Sequence, residues 1–251
     1  LRIGPLRLDI TQPMKSVRMT LDESPEGITF DLVFKAVAKP HMEVPYRHWK
    51  YGRLINDLVR YTQINRATGH VVLDGERLSI DTWHAIRDHS WGIRASMGPR
   101  TPSNGAPGEE DEADLRRFRI WVPFEVEGHS GFFQTHEAVD GSTLDFEGVL
   151  DFDDGHRLKL VGIDHDLKYQ EGTRNVVGGS FRLRDVHGST HDYTLSSAGT
   201  SADVQGGGYS GGWHDHERPG TYRGIGPVIE SDRYPTGKDV VASGPPHIPV
   251  K

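Results

Sequence analysis

The 251 residues include no cysteine, which excludes disulfide scaffolding, thiolate nucleophiles and Cys-ligated zinc. That lack fits a reducing, cytoplasmic setting. No run approaches the roughly 18 consecutive apolar residues that a membrane-spanning helix needs. Residues Leu1 to Ile10 are too short and too mixed for a signal peptide, so no membrane insertion is expected. Positive charge is in the minority, with 29 Lys and Arg against 36 Asp and Glu for a net −7. The basic residues are scattered and form no stripe able to neutralise phosphates, so nucleic acid is not an expected partner. The glycine run Gly206 to Gly212 has no following Lys-Ser/Thr and opens no evident helix, so it is not a phosphate cradle. No Gly-x-Ser-x-Gly elbow is present either, which leaves a common α/β hydrolase unsupported. The chain starts at Leu1 without methionine and already reads as strand, so an upstream portion is expected.

Helical periodicity is also scarce. Short runs rich in Val, Ile, Phe, Tyr and Thr recur between Gly, Asp, Asn and Pro clusters, the pattern of a strand meander. The clearest hairpin spans His70 to Asp81 and turns at Asp74-Gly75, a pair that supplies the positive φ angles of a tight turn. A second runs from Ser180 to Arg184, turns at His187-Gly188 and returns from His191 to Leu195. A third turn, Asp153-Asp154-Gly155, joins a strand over Leu144 to Phe152 with one over Arg157 to Tyr169. Phe30 to Ala38 and Phe118 to Phe124 complete the stronger strands, and helical turns are expected only around Tyr51 to Val59. Residues Gly98 to Ala113, rich in Pro, Gly and acid, form a polar loop or lid, and Pro235 to Lys251 an extended tail. The fold class is therefore all-β. A closed or nearly closed antiparallel barrel is favoured because closure removes exposed strand edges, with a two-sheet sandwich as the alternative.

The segment Thr68 to Glu76, followed by Trp83-His84-Ala85-Ile86-Arg87-Asp88-His89-Ser90-Trp91-Gly92-Ile93-Arg94, resembles the hydroxyneurosporene synthase (carotenoid hydratase) superfamily. The Arg-Asp-His-Ser-Trp-Gly string is its specific part. The strand Gly162 to Tyr169 and the late Gly224 to Glu230 follow in the same order, most like bacterial members of unassigned function. The resemblance implies tandem lipocalin-like antiparallel β-barrels, the first incomplete in this chain. Residues 1–70 would then end the first barrel, 71–234 would form the second with a polar loop at 98–113, and 235–251 would be a tail. It also implies chemistry without an organic cofactor, since superfamily members hydrate isoprenoid or flavonoid double bonds or fold polyenes by cycloaddition. One architecture hosting several reactions leaves function to the site.

Strand alternation over Trp83 to Arg94 places Trp83, Arg87, His89 and Trp91 on one face and His84, Ile86, Asp88 and Ser90 on the other. With the first face inward, the indoles would wall a pocket and Arg87 between them would gain cation–π energy of about 1–2 kcal/mol. Hydration or isomerisation of an alkene needs a positioned acid, for which His89 and Asp88 are the local candidates, with Arg87 orienting a polar group. Trp83, His84, Trp91, Arg94, Tyr209 and Trp213 are the expected substrate-binding residues. The structural alternative is that Trp and Arg plug one end of a barrel while Asp88 merely orients Arg87. Two lesser motifs remain. His214 and His216 have the i, i+2 spacing that shares one strand face and could be joined by His84 or His89 as metal ligands, but no third ligand is fixed by spacing and the glycine-rich surroundings read instead as a solvated or lid-forming loop. Asp164-His165-Asp166 is either a tuned acid–base group or an exposed polar face opposite Ile163 and Leu167. The expected function is a cofactor-independent lyase or isomerase of hydratase type, its partner a small hydrophobic molecule. A noncatalytic carrier of a lipid, terpenoid or steroid is the alternative, and a metal-dependent enzyme is third.

Overall fold

The computed structural model describes residues 1–50, 52–94, 97–98, 118–172, 175–197 and 219–229. Among them there is no helix, and so none long and apolar enough to cross a membrane. Two curled antiparallel sheets make up the all-β fold. The first holds β1 (Arg2–Ile3), β2 (Leu6–Gln12), β3 (Ser16–Leu21), β4 (Ile28–Ala36), β5 (His41–Met42), β6 (Tyr46–Lys50), β7 (Arg53–Leu73) and β8 (Glu76–Ile93). The second runs in the order β14 (Thr190–Ser196), β13 (Val176–Asp185), β12 (Arg157–Tyr169), β11 (Thr143–Phe152), β10 (His129–Glu137) and β9 (Phe118–Val126).

Three expected turns are where the sequence placed them. Asp74 and Gly75 have φ of 51° and 86°, the pair of positive angles that closes a two-residue hairpin with the twist of its strands. Gly155 N–H donates to Phe152 O at 2.8 Å and Gly188 N–H to Asp185 O at 3.1 Å, closing the other two. The first hairpin is far longer than its signal, because pairing continues from Leu73↔Glu76 to Asp57↔Ile93. Midway the register shifts between Ala67 and Gly69. Gly69 has φ of 133°, and a Cβ there would lie 2.0 Å from the carbonyl oxygen of Asp31 on β4, so only glycine lets the strands close up.

Among the described residues 52–59, the helical turns expected around Tyr51 to Val59 are absent. The stretch from Arg53 onward is the start of β7, paired with β6 on one side and β8 on the other. Leu54, Ile55, Leu58 and Val59 imitate a helical repeat because both faces of this strand are partly covered, so apolar residues occupy odd and even positions alike. Residue 70 lies inside β7, and the change of sheet falls between Ile93 and Phe118. Of the polar loop expected over 98–113 only residue 98 is described, and the expected tail lies outside the described residues.

The chain divides into two compact units. One holds Leu1–Arg94, Gly108–Ile163 and Leu183–His191, and the other Ala95–Pro107, Asp164–Arg182 and Asp192–Lys251. In the first unit, alternation splits β9, β10 and β11 into two faces. Phe133, Val122, Gly148 and Leu160 lie in one row across the sheet, and Gln134, Trp121 and Glu147 in the neighbouring row on the opposite face. The former face holds the dry core, where Phe133, Leu150, Leu160 and Leu183 are buried. The latter turns to β5, β7 and β8 and carries polar groups. In the second unit Phe181 stacks on Tyr193 at 5.0 Å, and burial pushes the Tyr193 hydroxyl up to about 12.

Candidate functional site

The long strand β7 has Arg60, Thr62 and Arg66 on one face and Tyr61, Gln63 and Asn65 on the other, with residues 61–65 all buried. A polar residue buried in a strand requires a partner. On the odd face, Gln63 Nε2 donates to the carbonyl oxygens of Met14 and Ala38 at 2.9 and 3.0 Å. The odd side chains of β8 lie over this face. His89 stacks on Tyr61 at 5.4 Å, Trp91 tilts against His89 at 5.5 Å, and the Arg87 guanidinium sits 5.3 Å above the Tyr61 ring. Arg87, His89 and Trp91 thus gather around Tyr61, which the sequence did not single out, and among the described residues no contact sets Arg87 between the indoles of Trp83 and Trp91. Trp83 and Trp91 remain 52% and 46% exposed, so they form an open aromatic strip rather than a sealed wall.

The even face of β7 meets the polar row of β9, β10 and β11. Glu43, which follows β5, has a side chain only 5% exposed and accepts from Thr62 Oγ1 at 2.6 Å and from Gln134 Nε2 at 3.1 Å. Trp121 Nε1 and Arg60 Nη1 each lie 3.5 Å from it. The same Gln134 amide donates to Glu147, which also takes the Val44 N–H at 3.0 Å and lies 3.2 Å from His41 Nε2. Burial pushes the Glu147 pKa up, but the hydrogen bonds from His41, Gln134 and Val44 outweigh it and hold the carboxyl below its ordinary value. His41 packs against Phe132 at 5.1 Å, and Phe132 meets Trp121 edge-on at 5.7 Å. Farther along, Arg66 Nη2 donates to Glu125 at 2.7 Å, with His84 Nδ1 at 3.4 Å from the other carboxylate oxygen.

Two expected site residues therefore belong to this second cluster. Asp88 approaches Arg60 and His84 approaches Glu125, both from the β8 face opposite the tryptophans. Asp88 is 50% exposed and marks where the cluster opens to solvent. Arg94 lies just beyond β8, and its charge bears on Arg119. Tyr209, Trp213, His214 and His216 lie outside the described residues. In β12 Asp164 and Asp166 are exposed, while His165 is half-buried on the side of Ile163 and Leu167. Among the described residues no three His, Asp or Glu side chains are grouped to hold a metal. A separate cleft of about 320 Å3 is lined by Val37, Lys39, Ser130, Asp151, Phe152 and Asp153.

Glu43, Glu147, His41 and Gln134 were missed by sequence reading. Their one sequence signal is Gln134 breaking the apolar run Phe132-Phe133 inside a strand.

Fold and site together define an all-β protein with a buried carboxylate–imidazole–guanidinium cluster between two antiparallel sheets. Its sequence matches a family of unknown function, DUF8625, over residues 1–242, and the chain belongs to that family. No curated protein matches it. Among solved structures it is similar to kievitone hydratase from Nectria haematococca, with 13% identity and a TM-score of 0.42, over 78% of this chain and 57% of the hydratase. The chain thus spans a little over half the length of that protein.

The ionised groups give the fold two stages of acid sensitivity. Burial and the charge of His191 lower the His129 pKa from 6.5, so the unfolded chain binds the extra proton first and stability falls as pH drops through about 6.5. The hydrogen bond from His191 lowers the Asp185 pKa, and Glu147 is lowered as well, so their contribution is full above the ordinary carboxylate range and is lost as pH falls below about 4. Melting temperature followed by circular dichroism against pH should show both declines. His129→Gln should flatten the first and leave the second, and an unchanged first decline in that variant would refute the assignment.

Proposed function

We propose that the protein is a cofactor-independent lyase or isomerase of hydratase type, acting on a hydrophobic unsaturated or aromatic small molecule, with proton transfer carried by the inter-sheet cluster. The supporting observation is the His41–Glu147 pair, its two side chains 15% and 14% exposed, set beside the rings of Phe132 and Trp121. A carboxylate held ionised beside an imidazole fixes the ring's orientation and tautomer, the arrangement that general acid–base catalysis needs. In hydration, His41 gives its proton to one alkene carbon and the π pair forms the new C–H bond. Water oxygen then bonds to the cationic carbon and its surplus proton returns to His41. The electron-rich indole of Trp121 stabilises the transient cation. The rings of Trp121 and Phe132 hold the apolar part of the substrate, with Asp88 as the alternative proton donor on this face. Trp83, Trp91, Arg87 and His89, on the opposite face of β8, make up the alternative site.

Incubation with a panel of isoprenoid and prenylated aromatic alkenes in heavy-oxygen water, read by mass spectrometry, tests this. A product carrying one heavy oxygen is expected, lost in Glu147→Gln and His41→Asn with ligand binding retained. Loss in His89→Gln alone would move the acid to the aromatic strip. Binding without turnover of any kind would favour the second reading, a noncatalytic carrier of a lipid, terpenoid or steroid. The observation on its side is the series of half-exposed Trp83, Trp91 and Ile93 along one face of β8.

A further inference from the structure

Among the described residues, cationic groups at the open end of the inter-sheet cluster exceed the anions that face them. Arg119 Nη2 donates to the neutral oxygen of Gln134 at 2.8 Å, its sole hydrogen bond or ion pair among the described residues. Arg94 has none at all among them. Arg60 leans on Glu43 at 3.5 Å through Nη1, while its Nε is buried without a hydrogen-bond acceptor, since Asp88 Oδ1 stays 3.6 Å away. A guanidinium carries five N–H donors in a rigid fork, so among the described residues these three leave most of their donors unspent. The charges of Arg60 and Arg94 also bear on Arg119. Burial first, and then the repulsion from Arg60, holds its pKa below the ordinary arginine value despite Glu43 and Asp88.

We propose that Arg60, Arg94 and Arg119 form a receptor for one planar oxyanion, a carboxylate borne by the small-molecule ligand, at the Asp88 end of the cluster. Among the described residues, three guanidiniums against the carboxylates of Glu43 and Asp88 leave an excess of one positive charge. That balance suits a monoanion and not a phosphate dianion. The flat fork of Arg119 matches a carboxylate with two parallel bonds, and such charge-assisted pairs are the strong ones. The orphaned Nε of Arg60 supplies a further donor. This inference rests on the cluster being the ligand site, and it assigns the polar end of a molecule whose apolar part the rings of Trp121 and Phe132 would hold.

The test uses 1-naphthoate and its neutral counterpart 1-naphthamide, titrated by calorimetry into the full chain. Naphthoate should bind about tenfold tighter or better, a difference of about 1.4 kcal/mol. Arg119→Gln and Arg94→Gln, with folding checked by circular dichroism, should each remove most of that preference, and Arg119→Lys should keep part of it. Arg182→Gln, on β13 and paired with Asp192 at 2.6 Å, should leave it intact. Glu147→Gln separates the two proposals, because it should abolish turnover and retain the naphthoate preference. If no alkene is turned over yet the preference is present and arginine-dependent, the catalytic reading falls and this one stands. Equal affinity for acid and amide, no saturable naphthoate binding, or a preference that survives both Arg→Gln variants would overturn it.

Discussion

Glu43→Ala should destabilise the protein by about 3 kcal/mol, at the lower end of the cost of removing one partner from a buried charged network. The carboxylate accepts from Thr62 and Gln134 and faces Trp121 Nε1 and Arg60 Nη1. Removing it strips the Thr62 hydroxyl, on a residue only 2% exposed, of its acceptor. It also leaves the largely buried Arg60 without its closest counter-charge. An unmade bond to a buried donor costs about 1–3 kcal/mol by itself, more for a charged one. Glu43→Gln keeps the shape and one acceptor, so its loss should be smaller. Urea unfolding at unchanged m-value measures both, and a midpoint for Glu43→Ala equal to wild type would show the network to be energetically idle.

Phe133→Ala should cost about 3–5 kcal/mol, the range for deleting a buried aromatic ring. Phe133 is 1% exposed, meets Phe124 edge-on at 6.3 Å and stacks on Phe146 at 6.5 Å. Its neighbour across the strands is Gly148, where an added Cβ would come within 2.9 Å of the Phe133 Cβ. The ring therefore fills space that its neighbour vacates, and no side chain at 148 is present to relax into the hole. Phe133→Leu should recover most of the loss. A loss below about 1 kcal/mol for the alanine variant would mean that this face collapses readily and is less tightly packed than its burial implies.

Phe133 and Gln134, the partner of Glu43, lie on opposite faces of one strand, and the sequence revealed those faces unequally. Turns were legible because Asp74-Gly75 and Asp154-Gly155 act locally, through backbone angles that few residues tolerate. The strand class was legible from alternation and β-branched content, except where Leu54, Ile55, Leu58 and Val59 blurred the period under two-sided cover. The grouping of Arg87, His89 and Trp91 on one face of β8 followed from period two alone. Which face of β8 meets a second layer did not, because that depends on residues far along the chain: Arg66 finds Glu125 after 59 positions and His41 finds Glu147 after 106. Glu43 had no local signature. It sits between Pro40 and Pro45, beside a two-residue strand, and becomes important only once Thr62 and Gln134 arrive from different sheets.

β7 carries hydrogen-bonded neighbours on both flanks, with β4, β5 and β6 following one another along one side and β8 along the other. Such a strand cannot fray from an edge. Amide protons over residues 61–65 should therefore be among the slowest to exchange for deuterium, and those of β8 that point away from β7, which have no strand partner among the described residues, should exchange faster. Because β7 and β8 are joined by a two-residue turn, as β9 and β10 are, closing their ladder costs little loop entropy despite its length.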